Sequence, residues 1–203
     1  MGELGFCQVG RTAQVASANL HYGEESPLVG TGGSGTIFMA GCNLSCRFCQ
    51  NYDISHCTSS TMEVSAKELA AIMIALERRG AHNINIVSPS HVVAQVLEAM
   101  PIAVEHGLTV PLVYNTGGYD ALDALELLDG VVDIYMPDVK FDDGVLSEKY
   151  CQAEDYPERA REAVREMHRQ VGDLELDARG VAIRGLLVRH LVLPGGAAGT
   201  EAW

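Results

Sequence analysis

Three thiols fall within eight residues of one another: Cys42, Cys46 and Cys49, spaced C-x3-C-x2-C inside the stretch GTIFMAGCNLSCRFCQNYD (35–53). Thiolates are ligands for soft metals and for iron–sulfur clusters. A four-iron cube needs four ligands, so three thiolates from one loop leave one iron to something that is not protein. A closed zinc site asks for a fourth Cys or His, and His56 and Cys57, seven and eight residues beyond Cys49, keep that count open. Three buried thiols without a ligand is the plainer alternative, but free cysteines seldom cluster this tightly.

The loop that carries them follows Thr36–Ala40, a short apolar run between glycines that reads as a buried strand. The cysteines then sit at its C-terminal end, where βα folds place their chemistry. Further strands are expected at Asn83–Val87, Val110–Tyr114, Val131–Met136 and Leu186–Leu193. Between them the pattern turns helical. Val64–Arg79 opens with a Ser65/Glu68 capping box, presents Leu69, Ile72, Met73 and Leu76 on one face, and stops at Gly80. Ser90–His106 turns Val92, Val93, Val96, Leu97 and Met100 inward, with a kink expected at Pro101. Tyr119–Leu128 has Leu122, Leu125 and Leu128 in line. A short helix ending near Cys151 precedes an amphipathic one at Tyr156–Val171, with Pro157 in its first turn. Leu174–Ile183 reads as a hairpin around a turn at Asp177–Gly180. Met1–Gly35, rich in glycine, reads as an irregular or briefly extended lead-in to a core at 36–203. Alternating strands and helices with long connections give an α/β fold with a parallel sheet and right-handed crossovers. Periodicity alone leaves an open doubly wound sheet and a partial barrel as alternatives.

Ligand-binding residues in such a sheet come from the loops after successive strands. After the second strand, Ser88 and Ser90 offer hydroxyls beside a helix N-terminus suited to an anion, or simply cap that helix. His91 reads as a first-turn surface residue. After the third strand stand Asn115, Thr116 and two glycines, which permit close backbone approach to a ligand or a plain turn. After the fourth, Asp138 and Lys140 lie two apart and face the same side if the strand continues; both charges follow an apolar strand toward the mouth. Arg189 and His190 interrupt the last apolar run, so one of them faces inward and the other outward. Cys7 stands alone and reads as a buried small hydrophobe, while Cys57 and Cys151, which nothing pairs with a base for nucleophilic catalysis, read as structural or exposed thiols.

The chain has 203 residues, a formal net charge of −13 and 47% hydrophobic content. Length suits one domain with a sizeable core. The negative balance argues against a nucleic-acid partner. There is no apolar run of membrane-spanning length and no signal-peptide pattern. Clustered cysteines without an export signal point to a reducing cytoplasm.

With Phe48 just before its last cysteine, the C-x3-C-x2-C loop resembles the signature of the radical S-adenosylmethionine superfamily. The string GTIFMAGCNLSCRFCQNYDIS is most similar to the relatives of pyruvate formate-lyase-activating enzyme. The resemblance implies a (β/α)6 partial TIM-like barrel, of which five core strands are counted here; on that basis the chain lacks its last βα unit and is shortened at its start. It implies that Cys42, Cys46 and Cys49 hold a 4Fe–4S cluster whose fourth iron is chelated by S-adenosylmethionine. It further implies cofactor contacts from Phe48, Ser88, Ser90, Asn115, Asp138, Lys140 and, as the inward residue of its pair, Arg189. The family's Gly-Gly-Glu is replaced by Ser88-Pro89-Ser90, its Thr-Asn-Gly by Asn115-Thr116-Gly117, and its Asp-Leu-Lys by Asp138-Val139-Lys140. The implied reaction is reductive cleavage of S-adenosylmethionine to a 5′-deoxyadenosyl radical, which abstracts hydrogen from a protein glycine or a small molecule. No side chain is needed as acid or base. A flavodoxin or ferredoxin supplies the electron, and Cys7 is an orphaned ligand of a missing cysteine-rich segment. The rival reading is an iron–sulfur carrier that uses the same cysteines without cleaving S-adenosylmethionine.

Overall fold

The computed structural model describes residues 4–56 and 61–203. The elements are β1 (Ala13–His21), α1 (Ser26–Val29), β2 (Ser34–Met39), α2 (Tyr52–Ser55), β3 (Met62–Val64), α3 (Ala66–Arg78), β4 (Ile84–Val87), α4 (Val93–Glu105), β5 (Leu112–Thr116), α5 (Leu122–Glu126), β6 (Ile134–Val139), α6 (Gly144–Cys151), α7 (Tyr156–Val171), β7 (Glu175–Leu176), β8 (Ala182–Leu186) and β9 (Arg189–His190). Strand order is β3-β1-β2-β4-β5-β6-β8-β7, with β9 beside β6. Neighbours from β2 through β8 are parallel, while β1 and β7 are antiparallel additions. This is the α/β, mostly parallel sheet of a partial TIM-like barrel.

Alternation sorts the strand residues onto two faces. Ile37, Met39, Ile84, Ile86, Leu112, Tyr114 and Tyr135 pack outward in one core with Leu69, Met73 and Leu76 of α3 and Val96, Ala99 and Ala103 of α4. The opposite parity lines the inside. Val113, Ile134, Met136 and Ala182 form an inner apolar cluster, and Phe38, Val87, Asn115 and Asp138 come one layer nearer the C-terminal strand ends. The capping box of α3 is present in both directions. α7 and the C-terminal end of α6 fall where the sequence places them.

The lead-in is not irregular over Ala13–His21: β1 pairs with both β2 and β3. Its small, mixed residues and a register shift between Val15 and Ser17 blur the alternation that would have revealed it. The following segment then turns inward. Leu28 of α1 is fully buried against Val113, Ile134, Met136 and Ala182. Its carbonyl accepts from Asn83 Nδ2 at 2.8 Å, and His82 Nε2 accepts the Thr31 and Gly32 amides. Residues 22–33 thus plug the barrel at the N-terminal strand ends.

Other boundaries move. β5 and β6 begin and end two to three residues later than expected, because Val131 and Val132 close a turn onto the Leu128 carbonyl and the Asp133 carboxylate accepts the Leu112 amide. Pro137 does not end β6; it occupies the last β5–β6 pair, opposite Thr116. The fifth parallel strand is displaced and broken, running over Ala182–Leu186 and resuming at Arg189–His190. The hairpin ahead of it exists as β7–β8. Pro101 lies within an uninterrupted α4, where it removes one backbone bond without ending the helix. Val92, with no side-chain cap, precedes that helix, so neither Ser88 nor Ser90 caps it. Leu122 is exposed, while Leu125 and Leu128 are buried. No helix among the described residues is long and apolar enough to cross a membrane.

Candidate functional site

The cysteine loop leaves β2 through Ala40 and Gly41. Gly41 has φ +79°, and a Cβ there would meet the Cys7 carbonyl oxygen at 2.3 Å, so only glycine makes this turn without displacement. Backbone bonds then fix the loop on all sides. Ala40 N–H donates to the Gln14 carbonyl, Gly41 N–H to Ile54, Ser45 N–H to Cys151 and Arg47 N–H to Tyr150, at 2.8–3.1 Å. His91 Nε2 lies 2.8 Å from the Ala40 carbonyl, so it is the protonated ring nitrogen. This histidine is half-buried, not on the surface, and burial pushes its pKa down. Leu44 drops into a buried cluster with Phe141, Cys151, Tyr156 and Ala160.

Cys42, Cys46 and Cys49 all line one cavity of about 540 Å³ on the inner face at the strand ends. The lining is shared with Phe38, Phe48, Val87, Ser88, Asn115, Asp138, Lys140 and Arg189. Phe48 stands edge-tilted to Phe141, ring centroids 5.9 Å apart. Ser88 is held at φ +58°, a strained conformation for a non-glycine residue, with its N–H on the Asn115 carbonyl at 2.9 Å. The register sets Phe38 opposite Val87, Val87 opposite Asn115, and Asp138 opposite Arg189. Four parallel strands (β2, β4, β5 and β6) and β9 therefore each contribute to one wall.

That wall is an ionic network. Lys140 Nζ donates to Asp138 Oδ2 at 2.6 Å and Arg189 Nε to Asp138 Oδ1 at 2.8 Å. Arg189 Nη2 donates to Asn115 Oδ1 at 2.8 Å. The Asp138–Lys140 pair is 25% and 12% exposed at its side chains, which removes it from the class of weak surface ion pairs. Burial raises the Asp138 carboxyl, but Lys140 and Arg189 outweigh it and the net direction is down. Burial works against the Lys140 ammonium too, and is outweighed by the Asp138 carboxylate, so its pKa goes up. Arg189 is the inward member of its pair. His190 is held by the Val139 carbonyl and the Thr200 hydroxyl, at 3.1 and 2.8 Å, at the edge of the same cavity.

Tyr156, from the first turn of α7, ties the loops together. Its hydroxyl accepts from Lys140 N–H at 3.1 Å and lies 2.9 and 2.8 Å from the Gly117 and Asp138 carbonyls, to which it donates. Gly118 presses so closely on the Asp138 carbonyl that a Cβ would sit 2.3 Å from the oxygen.

Ser90 stands apart from this group. Its hydroxyl is 3.0 Å from Thr116 Oγ1 and lines a different cavity, about 560 Å³, with Asn43, Tyr119, Asp120 and Arg159. There Asp120 accepts from the Tyr114 and Thr116 hydroxyls, at 2.9 and 2.6 Å, and burial raises its carboxyl. Sequence reasoning also missed Glu24. It lines the thiol cavity, its side chain is 8% exposed, and its carboxylate lies 3.7 Å from Arg189 Nη1. Burial raises its carboxyl against the pull of Arg189. Nothing in the sequence marked it, because it is delivered by the plug and not by a strand end. Cys7 is half-buried against the outer core, and its backbone abuts Gly41. Cys151 is fully buried, not exposed, with its sulfur 3.3 Å from that of Cys46. Cys57 lies outside the described residues.

Among known families, the model of the radical SAM superfamily matches residues 36–176. The chain belongs to the radical SAM superfamily. An uncharacterized protein of Methanocaldococcus jannaschii is 31% identical over 204 residues, covering 95% of this chain and 53% of its own length. The chain thus spans about half the length of the curated relative it matches.

Radical SAM proteins use a 4Fe–4S cluster and S-adenosylmethionine, and the donor set fits that pair of cofactors. The three soft thiols share one cavity, and the Leu44 N–H already donates to Cys42 Sγ at 3.4 Å. Among the described residues, no three His, Cys, Asp or Glu side chains converge as one metal ion would require. Ligands that each take a different iron of a cluster need no such convergence. Burial pushes Cys42 up to about 11, and Cys46 is also pushed up, first as hydrogen-bond donor to Cys151 and then by burial. Loading a cluster therefore displaces protons.

Proposed function

We propose that this protein is a radical S-adenosylmethionine enzyme of the activating-enzyme type. In it, Cys42, Cys46 and Cys49 hold the cluster, while Phe48, Ser88, Asn115, Asp138, Lys140 and Arg189 hold S-adenosylmethionine. When bound, the two cofactors supply one-electron reductive cleavage of the C5′–S bond, giving methionine and a 5′-deoxyadenosyl radical that takes a hydrogen atom from the substrate. The observation that carries the reading is the sharing of one cavity by three thiols and a carboxylate-linked Lys–Arg pair.

The chain's part is to bind, orient and exclude water. Asp138 is engaged on both oxygens, so it fixes the two cations rather than meeting a ligand alone. Lys140 retains N–H groups beyond its bond to Asp138, and Arg189 Nη1 makes no hydrogen bond to its acidic neighbours, the nearer being 3.7 Å away. These unspent donors suit the methionine carboxylate. Ser90 belongs to the neighbouring polar cluster and acts through Thr116, which lines the cavity. The substrate is a glycine in a partner protein or a small molecule. The electron comes from a flavodoxin- or ferredoxin-type donor, and the setting is the cytoplasm. The resemblance of the cysteine loop to the activating enzymes supports these finer assignments, and the net charge of −13 argues against nucleic acid.

The test is spectroscopic. S-adenosylmethionine added to the reduced, reconstituted protein is expected to change the electron paramagnetic resonance signal of the cluster. Arg189→Lys should need about tenfold more S-adenosylmethionine for half the change, since one ammonium cannot reach Asp138 and Asn115 together. A signal indifferent to S-adenosylmethionine would instead identify an iron–sulfur carrier.

A further inference from the structure

The sulfurs of Cys46 and Cys151 lie 3.3 Å apart, although the residues are 105 positions apart in the chain. The contact is built in by the backbone on both sides of Cys46. Ser45 N–H donates to the Cys151 carbonyl at 3.1 Å and Arg47 N–H to the Tyr150 carbonyl at 2.9 Å. The cysteine loop and the C-terminal end of α6 are thereby held in fixed register. Disulfide sulfurs lie about 2.05 Å apart, so bonding requires the two to close by roughly 1.3 Å, within reach of small side-chain torsions. The two thiols differ in access. Cys46 lines the open cavity, whereas Cys151 is fully buried behind it. Cys42 and Cys49 have other neighbours: the Leu44 amide for the first, and the Ser55 hydroxyl at 3.3 Å for the second. Among the described residues neither has a sulfur as hydrogen-bond partner.

We infer that Cys46 and Cys151 form an oxidisable pair, in which Cys151 is the resolving thiol for a cluster ligand. In the cluster-free protein a peroxide enters through the cavity and Cys46 sulfur attacks one of its oxygens, its thiol proton leaving with the departing hydroxide. The O–O bond breaks, Cys46 becomes a sulfenic acid and one water leaves. Cys151 sulfur then displaces the sulfenic oxygen, which leaves as a second water, and the S–S bond forms. Two thiols are oxidised by two electrons and one hydrogen peroxide is reduced to two waters. The disulfide removes one of three thiolates and blocks loading. It also stops Cys46 short of sulfinic acid, from which a dithiol reductant does not recover it. The consequence for loading rests on the reading of Cys46 as a cluster ligand; the disulfide itself does not.

The experiment uses the reduced, metal-free full chain treated with one equivalent of hydrogen peroxide under argon, alkylated and mapped by peptide mass spectrometry. The expected product is a Cys46–Cys151 linked peptide, reversed by dithiothreitol. The oxidised protein should take up at least tenfold less iron and sulfide than the reduced protein and recover after dithiothreitol. Cys151→Ser should load normally when reduced, but after excess hydrogen peroxide, of which two equivalents carry a thiol through sulfenic to sulfinic acid, it should carry sulfinic acid at Cys46 and stay unloaded after dithiothreitol, whereas the parent under the same excess should still recover. Cys151→Ala repeats the measurement should the serine perturb folding, as read by circular dichroism. A dominant disulfide between other cysteines, or Cys46 oxidised in the parent without linkage to Cys151, overturns the pair. A mapped disulfide together with full iron uptake by Cys46→Ala would leave the pair standing and refute the ligand role instead.

Discussion

At the scale of single residues, Asp138 organises the candidate site, because its two oxygens hold Lys140 and Arg189 in place. Its folded pKa lies below the ordinary value, where Lys140 and Arg189 outweigh the cost of burial. The stability it supplies is therefore complete above its unfolded pKa, about 4, and is lost as pH falls through the depressed folded value. Urea unfolding of the parent is expected to weaken below about pH 5, and Asp138→Asn should flatten that acid limb. At pH 7 the substitution should cost about 2 kcal/mol, the scale of hydrogen bonds to charged groups. An unchanged acid limb would remove Asp138 from this role. Asp138, Lys140 and Arg189 were legible because charges interrupting or following an apolar strand are costly and need a reason. Glu24 was not, since a carboxylate in a glycine-rich stretch resembles any solvated one until the fold buries it. Ser90 shows the reverse. Position in sequence put it at the strand end, but its hydroxyl turns to Thr116 and a separate cavity.

At the scale of elements, the parts written in local chemistry were readable. The Ser65/Glu68 box, the α7 boundaries and the number of parallel strands all follow from caps and periodicity within one segment. Strand ends were less so. The shift of β6 and the split between β8 and β9 depend on bonds to neighbouring strands, such as that between the Asp133 carboxylate and the Leu112 amide. Tyr156 shows how one element serves another. Its hydroxyl holds the loops after β5 and β6 from the first turn of α7, yet a tyrosine at a helix start carries no such message in sequence. Tyr156→Phe keeps the ring and removes that anchor. It is expected to cost about 1–3 kcal/mol, the penalty for leaving buried backbone groups unpaired, in thermal or urea unfolding. It should also weaken S-adenosylmethionine binding while cluster content stays at the parental level. Loss of stability with unchanged binding would make Tyr156 a packing residue alone.

At the scale of the whole molecule, the barrel is closed from below by its own N-terminal segment. The same segment carries Glu24 up to the cavity wall, so packing at one end of the strands sets electrostatics at the other. Leu28 is the hinge of that arrangement, fully buried among Val113, Ile134, Met136 and Ala182. Leu28→Ala is expected to cost about 2–5 kcal/mol through lost burial and the cavity it leaves, measured by urea unfolding. A loss below about 1 kcal/mol would mean that the plug does not bear on the core. The α/β class and its parallel sheet were legible from alternation alone, and the barrel from the cysteine loop's family likeness. The plug was not, because residues 22–33 follow neither the helical nor the strand period. The central claim is that these pieces together cleave S-adenosylmethionine at the three-cysteine loop. The most direct measurement is anaerobic: reconstitution with iron and sulfide, reduction, addition of S-adenosylmethionine, and quantitation of 5′-deoxyadenosine in the parent and in Cys46→Ala. The account predicts 5′-deoxyadenosine from the parent and none from the variant. A parent with a full cluster and no 5′-deoxyadenosine, or equal product from both proteins, would contradict it.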